Sequence, residues 1–166
     1  MKVKTERLAL ASVFTTLIFI ATRFFSIPVA SGIVHPADGL ILMSGAALGP
    51  RGAFAAAGVG SAMANILGAG GAQFAPASFI LKGLIGFGAA IAVKKCKNNF
   101  QLLFAFSALE FIFLVCGYFL YFMLIFDLSA AISQLPFFFM IGAVGLAIGM
   151  AGIPAIKKLN LRGDLQ

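Results

Sequence analysis

Long apolar runs, broken by short polar or Gly/Pro-rich stretches, divide this chain into six segments at about residues 8–25, 37–49, 53–67, 78–93, 100–126 and 136–156. A helix rises about 1.5 Å per residue, so crossing a hydrocarbon core of about 30 Å takes roughly 20 residues. The fifth and last runs are long enough and the first comes close. The second, Ala37 to Gly49, would rise only about 20 Å. It must stand upright, start deep, or be completed by the preceding loop, residues 26–36, which Pro28, Gly32 and Pro36 punctuate. Pro50-Arg51-Gly52 predicts a turn back into the third run. Residues 68–77 and 127–135 predict loops on the opposite side. The first run has the look of a signal peptide, but five apolar runs follow it and no small-residue cleavage site ends it. Gly45/Gly49 and Gly145/Gly149 form GxxxG pairs, and residues 53–64 are nearly all small. In lipid such residues let backbones approach closely, which predicts a tightly packed bundle.

Folding the six runs back and forth places ten of the twelve Lys and Arg residues on one side. They are Lys2, Lys4, Arg7, Arg51, Lys94, Lys95, Lys97, Lys157, Lys158 and Arg162; Arg23 alone falls on the other, and Lys82 lies inside a run. Cytoplasmic loops carry the excess of positive charge, so both termini are expected in the cytoplasm. The expected fold is therefore an all-α integral membrane protein: a compact bundle of six transmembrane helices forming a single membrane domain over 1–166. Composition agrees, with 61% hydrophobic and 10% charged residues, too few polar groups to coat a soluble surface. The net charge of +7 sits at helix ends, with no basic stripe interleaved with base-stacking aromatics, so nucleic acid is not an expected partner.

Enzymatic readings find little support. The single His, with no Ser-His-Asp set, HExxH or CxxC, argues against hydrolysis and against metal chemistry. Cys96 and Cys116 are expected to be plain packing or surface residues. Gly58-Val59-Gly60-Ser61 sits in an apolar helix with no following Lys, which argues against a phosphate loop. No cofactor, metal or nucleotide site is expected, so ATP-driven work would fall to a partner.

The informative residues are polar groups in apolar surroundings, where an ionised side chain costs about 2.5–3.5 kcal/mol on insertion scales. These are Asp38, Lys82 and Glu110, with the neutral His35, Asn65, Gln73, Tyr118, Tyr121 and Gln134. Counting along alternating segments puts all of them in the outer half except Glu110, which falls nearer the cytoplasm. Asp38 and Lys82 share a depth and have opposite charge, which predicts an ion pair; it either locks two helices or presents one partner to a solute. His35 either caps the second segment or lines an outward pocket. Glu110 is expected to be structural. Tyr118 and Tyr121 either belong to an interfacial belt or, for Tyr118, stack on a flat ligand.

In five stretches the chain resembles a known family. These are His35-Pro36-Ala37-Asp38, Leu48-Gly49-Pro50-Arg51-Gly52, Gly60 to Asn65, Leu81-Lys82-Gly83-Leu84 and Gly117-Tyr118-Phe119-Leu120-Tyr121. It is similar to the substrate-binding S components of energy-coupling factor (ECF) vitamin transporters, in the riboflavin-type branch. The resemblance implies a multi-pass protein of a prokaryotic plasma membrane that captures a vitamin-like small molecule from outside, with its first long loop closing the pocket. It also implies partners: a transmembrane coupling subunit and two ATPase subunits. The implied substrate-binding residues are His35, Asp38, Asn65, Lys82, Tyr118, Tyr121 and Gln134. The implied coupling contacts lie on the first helix at Ala9, Ala11 and Thr15, although the family's usual A-x-x-x-A pattern lacks its second alanine here. The chain departs from the family at Asn65 and Phe122, where acids are common, and at residues 136–141, where Asn and Gln give way to PFFFMI. A more apolar, Phe-lined pocket favours a flat, largely neutral ring compound such as pyridoxine, a pyrimidine or a flavin. Two other readings remain open, a stand-alone facilitator or channel and a structural subunit of a membrane complex.

Overall fold

The computed structural model describes residues 2–29, 32–69 and 71–159; Arg162, one of the ten same-side basic residues, lies outside them. Helix α1 (Lys2–Arg23) leads into a hairpin of β1 (Ile27–Val29) and β2 (Gly32–Val34), paired antiparallel with Pro28 opposite Ile33. Helix α2 (Ala37–Ala64) continues as a π turn (Asn65–Ala69) and a 3-10 turn (Ala72–Phe74) into α3 (Ala75–Lys95). Then follow α4 (Asn99–Leu109), a π-helical stretch (Glu110–Gly117), α5 (Tyr118–Ile125) and α6 (Leu128–Lys158).

Among the described residues, five helical stretches are long and apolar enough to cross a membrane: Thr5–Arg23, Ala37–Gly68, Ala72–Lys95, Asn99–Ile125 and Leu128–Lys158. The second is not one rod. Gly49 has φ 74° and ψ 179°, followed by Pro50, and this left-handed φ is one that glycine adopts without strain. The two halves of α2 then run oppositely along α3. A Cβ on Gly45 would lie 2.7 Å from the backbone nitrogen of Ala90, and Asp38 meets Lys82, so the first half runs with α3. Gly86 faces Ala53 and Ala57, Gly58 faces Phe79 and Asn65 bonds Ser78, so the second half runs against it. The predicted turn at Pro50-Arg51-Gly52 is this reversal. Its backbone stays helical from Pro50 onward, because proline at the first position of a helix gives up no hydrogen bond.

Two predicted loops have more structure than expected. Residues 26–36 hold the hairpin, whose Val34 is buried and whose β2 packs on α6. Residues 127–135, expected as a loop, are helical almost throughout. Asp127 caps α6 by accepting from the Ala130 N–H at 2.7 Å, and Pro136 is accommodated inside the helix. The side-chain cap fixes the helix start eight residues earlier than the proline suggested.

Helices α2 and α3 form the centre, with α1 and α6 packed on α2. Ile18, Ile41, Leu42, Ile85, Phe106, Leu114 and Ile153 are fully buried there. The outer faces carry exposed Phe79, Phe104, Phe111, Leu120, Leu124 and Phe139. So large an apolar surface suits hydrocarbon rather than water. The molecule is a multi-pass membrane helical bundle. Exposed Arg7, Arg51, Lys94, Lys95, Lys97, Lys157 and Lys158 gather at one end, and Arg23 lies at the other.

Candidate functional site

The end away from the basic cluster opens into a cavity of about 370 Å³. It is lined by polar groups from several elements: Thr22 of α1, His35 after the hairpin, Ser61 and Asn65 of the α2 end, Ser78 and Lys82 of α3, Tyr118 of α5 and Gln134 of α6. Phe74, Phe122, Phe126 and Phe138 supply the apolar walls. Phe74 stacks on Phe122 with centroids 4.9 Å apart, and Phe138 lies 5.7 Å from both Tyr118 and Phe122. The result is a slot walled by rings, suited to a flat partner.

Lys82 lies deep in this slot. Its Nζ donates to both carboxylate oxygens of Asp38 at 2.6 Å and stands 5.8 Å from the Tyr118 ring centre. Asp38 is fully buried and Lys82 nearly so. Asp38 does not line the cavity; it stands behind Lys82 and holds the ammonium forward. An ammonium has three protons, and two directed at Asp38 leave one for the cavity. The ion pair expected from shared depth is present, and the geometry joins both readings of it: it ties α2 to α3 while the lysine faces the slot.

A second chain of bonds orders the opposite wall. Asn65 Nδ2 donates to Ser78 Oγ at 2.5 Å, and Ser78 Oγ shares a hydrogen bond with the Tyr118 hydroxyl at 2.6 Å. Two lining groups are left over. His35 Nδ1 and Ser61 Oγ are buried without a hydrogen-bond partner among the described residues. Burial pushes the His35 imidazole down to about 4, with Asp38 opposing and Lys82 reinforcing the shift, so the ring is neutral near pH 7. Unpartnered buried polar atoms are costly unless something arrives to bond them. Both face the slot.

Of the seven residues expected at the site, the structure brings His35, Asn65, Lys82, Tyr118 and Gln134 to the cavity wall. Tyr121 lies at the rim, its hydroxyl donating to the Gln73 carbonyl and its ring beside Phe74. Thr22, Ser78, Phe74 and Phe126 were not singled out from sequence and Ser61 appeared only within motifs, whereas Phe122 and Phe138 lie where a Phe-lined pocket was expected. Serine and phenylalanine are ordinary in apolar helices, and only their convergence marks them. Gln73 was noted as polar, and it lines the cavity. Glu110 does not line this cavity; it begins the π-helical stretch and is buried against α6. On α1, Ala9 is exposed, whereas Ala11 and Thr15 are half-buried, with Thr15 backbone against Gly60 of α2.

A search of curated proteins found no match. The profile of the family described as ECF-type riboflavin transporter, S component, matches residues 2–158. Among solved structures, the S component of a bacterial ECF transporter superposes with a TM-score of 0.70 at 17% identity, over 95% of this chain and 99% of that one. That likeness concerns the fold, whereas the profile reaches nearly the whole sequence. The chain belongs to the S component family of ECF-type riboflavin transporters.

Proposed function

We propose that this protein captures riboflavin, or a close flavin relative, from outside the cell for an ATP-driven importer. The observation that carries the reading is the aromatic slot of about 370 Å³ with Lys82 held at its floor by Asp38. Its size falls in the range of about 300–1,000 Å³ usual for small-molecule sites. A flavin ring is flat and apolar across its faces, and its edge carries carbonyl acceptors and an imide donor. Phe122, Phe138 and Tyr118 suit the faces. The free proton of Lys82, the Ser61 hydroxyl and His35 Nδ1 suit the edge and the hydroxylated chain. Capture here is binding and delivery, in keeping with a transport-subunit family.

In this reading the chain crosses the membrane six times, with both termini and the basic end in the cytoplasm of a prokaryotic cell. The slot then faces outward, and the hairpin carrying His35 borders its mouth. Energy comes from partners: a transmembrane coupling subunit and two ATPase subunits, with exposed Ala9 and its neighbours on α1 among the contacts. Riboflavin fluorescence supplies the test. Stoichiometric quenching on titration into purified protein without ATP is expected, together with cellular uptake that requires the coupling subunits. Absence of quenching, or uptake into liposomes by this chain alone, would replace the reading with that of a facilitator or a structural subunit.

A further inference from the structure

Glu110 is used by nothing described so far. Its side chain is buried, and neither carboxyl oxygen has a hydrogen-bond partner among the described residues. It begins the π-helical stretch Glu110–Gly117, a backbone form often found at functional sites. Gly142, near the middle of α6, faces it across the gap; a Cβ there would lie 3.7 Å from the carboxyl. Beside the carboxyl is a second cavity of about 370 Å³, lined by Ser107, Phe111, Val115, Phe138, Phe139 and Leu146 among others. Phe111 and Phe139 flank its opening with centroids 6.3 Å apart, and both are about half exposed. In a bundle that spans a bilayer this opening meets hydrocarbon, since Phe111 lies well inside the apolar stretch Asn99–Ile125.

We infer that this lateral cavity is a binding site for a membrane-dissolved amphiphile whose small head, a hydroxyl or a primary amine, bonds Glu110 while its tail lies along Phe111 and Phe139. Charge balance favours such a head. Lys82 is already committed to Asp38, so an ionised Glu110 would stand in hydrocarbon without a counter-charge, which is expensive. Held neutral, the carboxyl offers one O–H donor and one carbonyl acceptor. A neutral amine entering from the bilayer takes its proton, giving an ammonium–carboxylate pair with no net charge moved. An alcohol accepts from the acid O–H and donates to its carbonyl oxygen. Either head gives both orphan oxygens a partner. An ester accepts from the acid O–H but has no donor for the carbonyl oxygen, and a bare alkyl chain leaves both oxygens unmatched. A water-soluble ligand has no route to the opening.

The chain contains no Trp, so Phe111→Trp creates a single reporter at the opening, quenched on contact by bromine. In nanodiscs, 12-bromododecylamine and 12-bromododecanol are expected to quench at about tenfold lower mole fraction than methyl 12-bromododecanoate. Glu110→Ala, placed on the reporter background, should remove that preference. Gly142→Val, which fills the cavity and keeps the carboxyl, should weaken quenching by all three and covers the case in which the alanine variant fails to fold. A preference for the amine alone also supports the site and identifies the head as a base. Equal quenching by all three compounds, or a preference that survives Glu110→Ala, overturns the inference. Flavin binding plays no part in the readout, so this site and the outer slot stand or fall separately.

Discussion

The half of the bundle near the basic end and the half around the slot are built from the same helices by opposite means. Near the basic end, glycines meet backbone directly: Gly45 against Ala90 and Gly86 against the Ala53 carbonyl, where an added Cβ would sit at 2.7 Å in each case. Buried Ser44 is satisfied within its own helix by the Ile41 carbonyl, and dispersion over close backbones holds the helices together. Around the slot the helices are spaced by aromatic rings and joined by the Asp38–Lys82 pair and the Asn65–Ser78–Tyr118 chain. Small residues thus make a rigid base, and large and polar residues keep an opening above it. Gly145 marks the changeover, since its missing side chain makes room for Asp38. The lock of the upper half depends on a glycine of the lower kind.

That contrast can be broken most severely at Lys82. Lys82→Met strands a buried Asp38, and removal of one partner from such a pair costs about 3–5 kcal/mol. Flavin binding should fall below detection, and thermal stability should drop with it. Adding Asp38→Asn should restore most of the stability without restoring binding, read by thermal unfolding and fluorescence titration together. If binding returned with stability, Lys82 would be a lock alone.

Next in size is the base. Gly45→Val drives side-chain atoms into the Ala90 backbone, and overpacking of this sort costs about 1–3 kcal/mol or more. The unfolding temperature should fall while protein that remains folded binds flavin with unchanged affinity. A selective loss of affinity would show that the two halves are not mechanically separate.

Tyr118→Phe is gentler. It removes the hydroxyl from the Ser78 chain and keeps the ring, a change worth about 1 kcal/mol. A several-fold weaker flavin affinity by titration, with stability lowered by no more than about 1 kcal/mol, is expected.

The smallest effect is one of pH. The folded His35 holds its proton less tightly than the unfolded one, at about 4 against 6.5. The unfolded chain therefore binds the extra proton between these values. Its contribution to stability is complete above pH 6.5 and is lost progressively as pH falls toward 4. Binding should be flat from pH 8 to 6.5, and His35→Gln should flatten the acid limb of the unfolding temperature. Lys157→Ala, at the exposed basic end, should change none of these readings.

Much of this could be read from residue order. Segment length, the basic asymmetry and the small-residue runs announced a membrane bundle, because burying the backbone in hydrocarbon allows few alternatives. The Asp38–Lys82 pair was legible because opposite charges at equal depth in lipid have little else to do. Tertiary structure alone decided the rest. Residues 127–135 became helix through a cap that a proline nearby obscured. The loop at residues 26–36 became a hairpin once β2 found α6 to pack on. Ser61, Ser78 and the phenylalanines became a slot only because helices from distant parts of the chain converge there. Apolar runs of this kind fix that a segment is buried, but not which neighbour it faces. That choice is made by close packing between side chains far apart in sequence, and no local pattern records it.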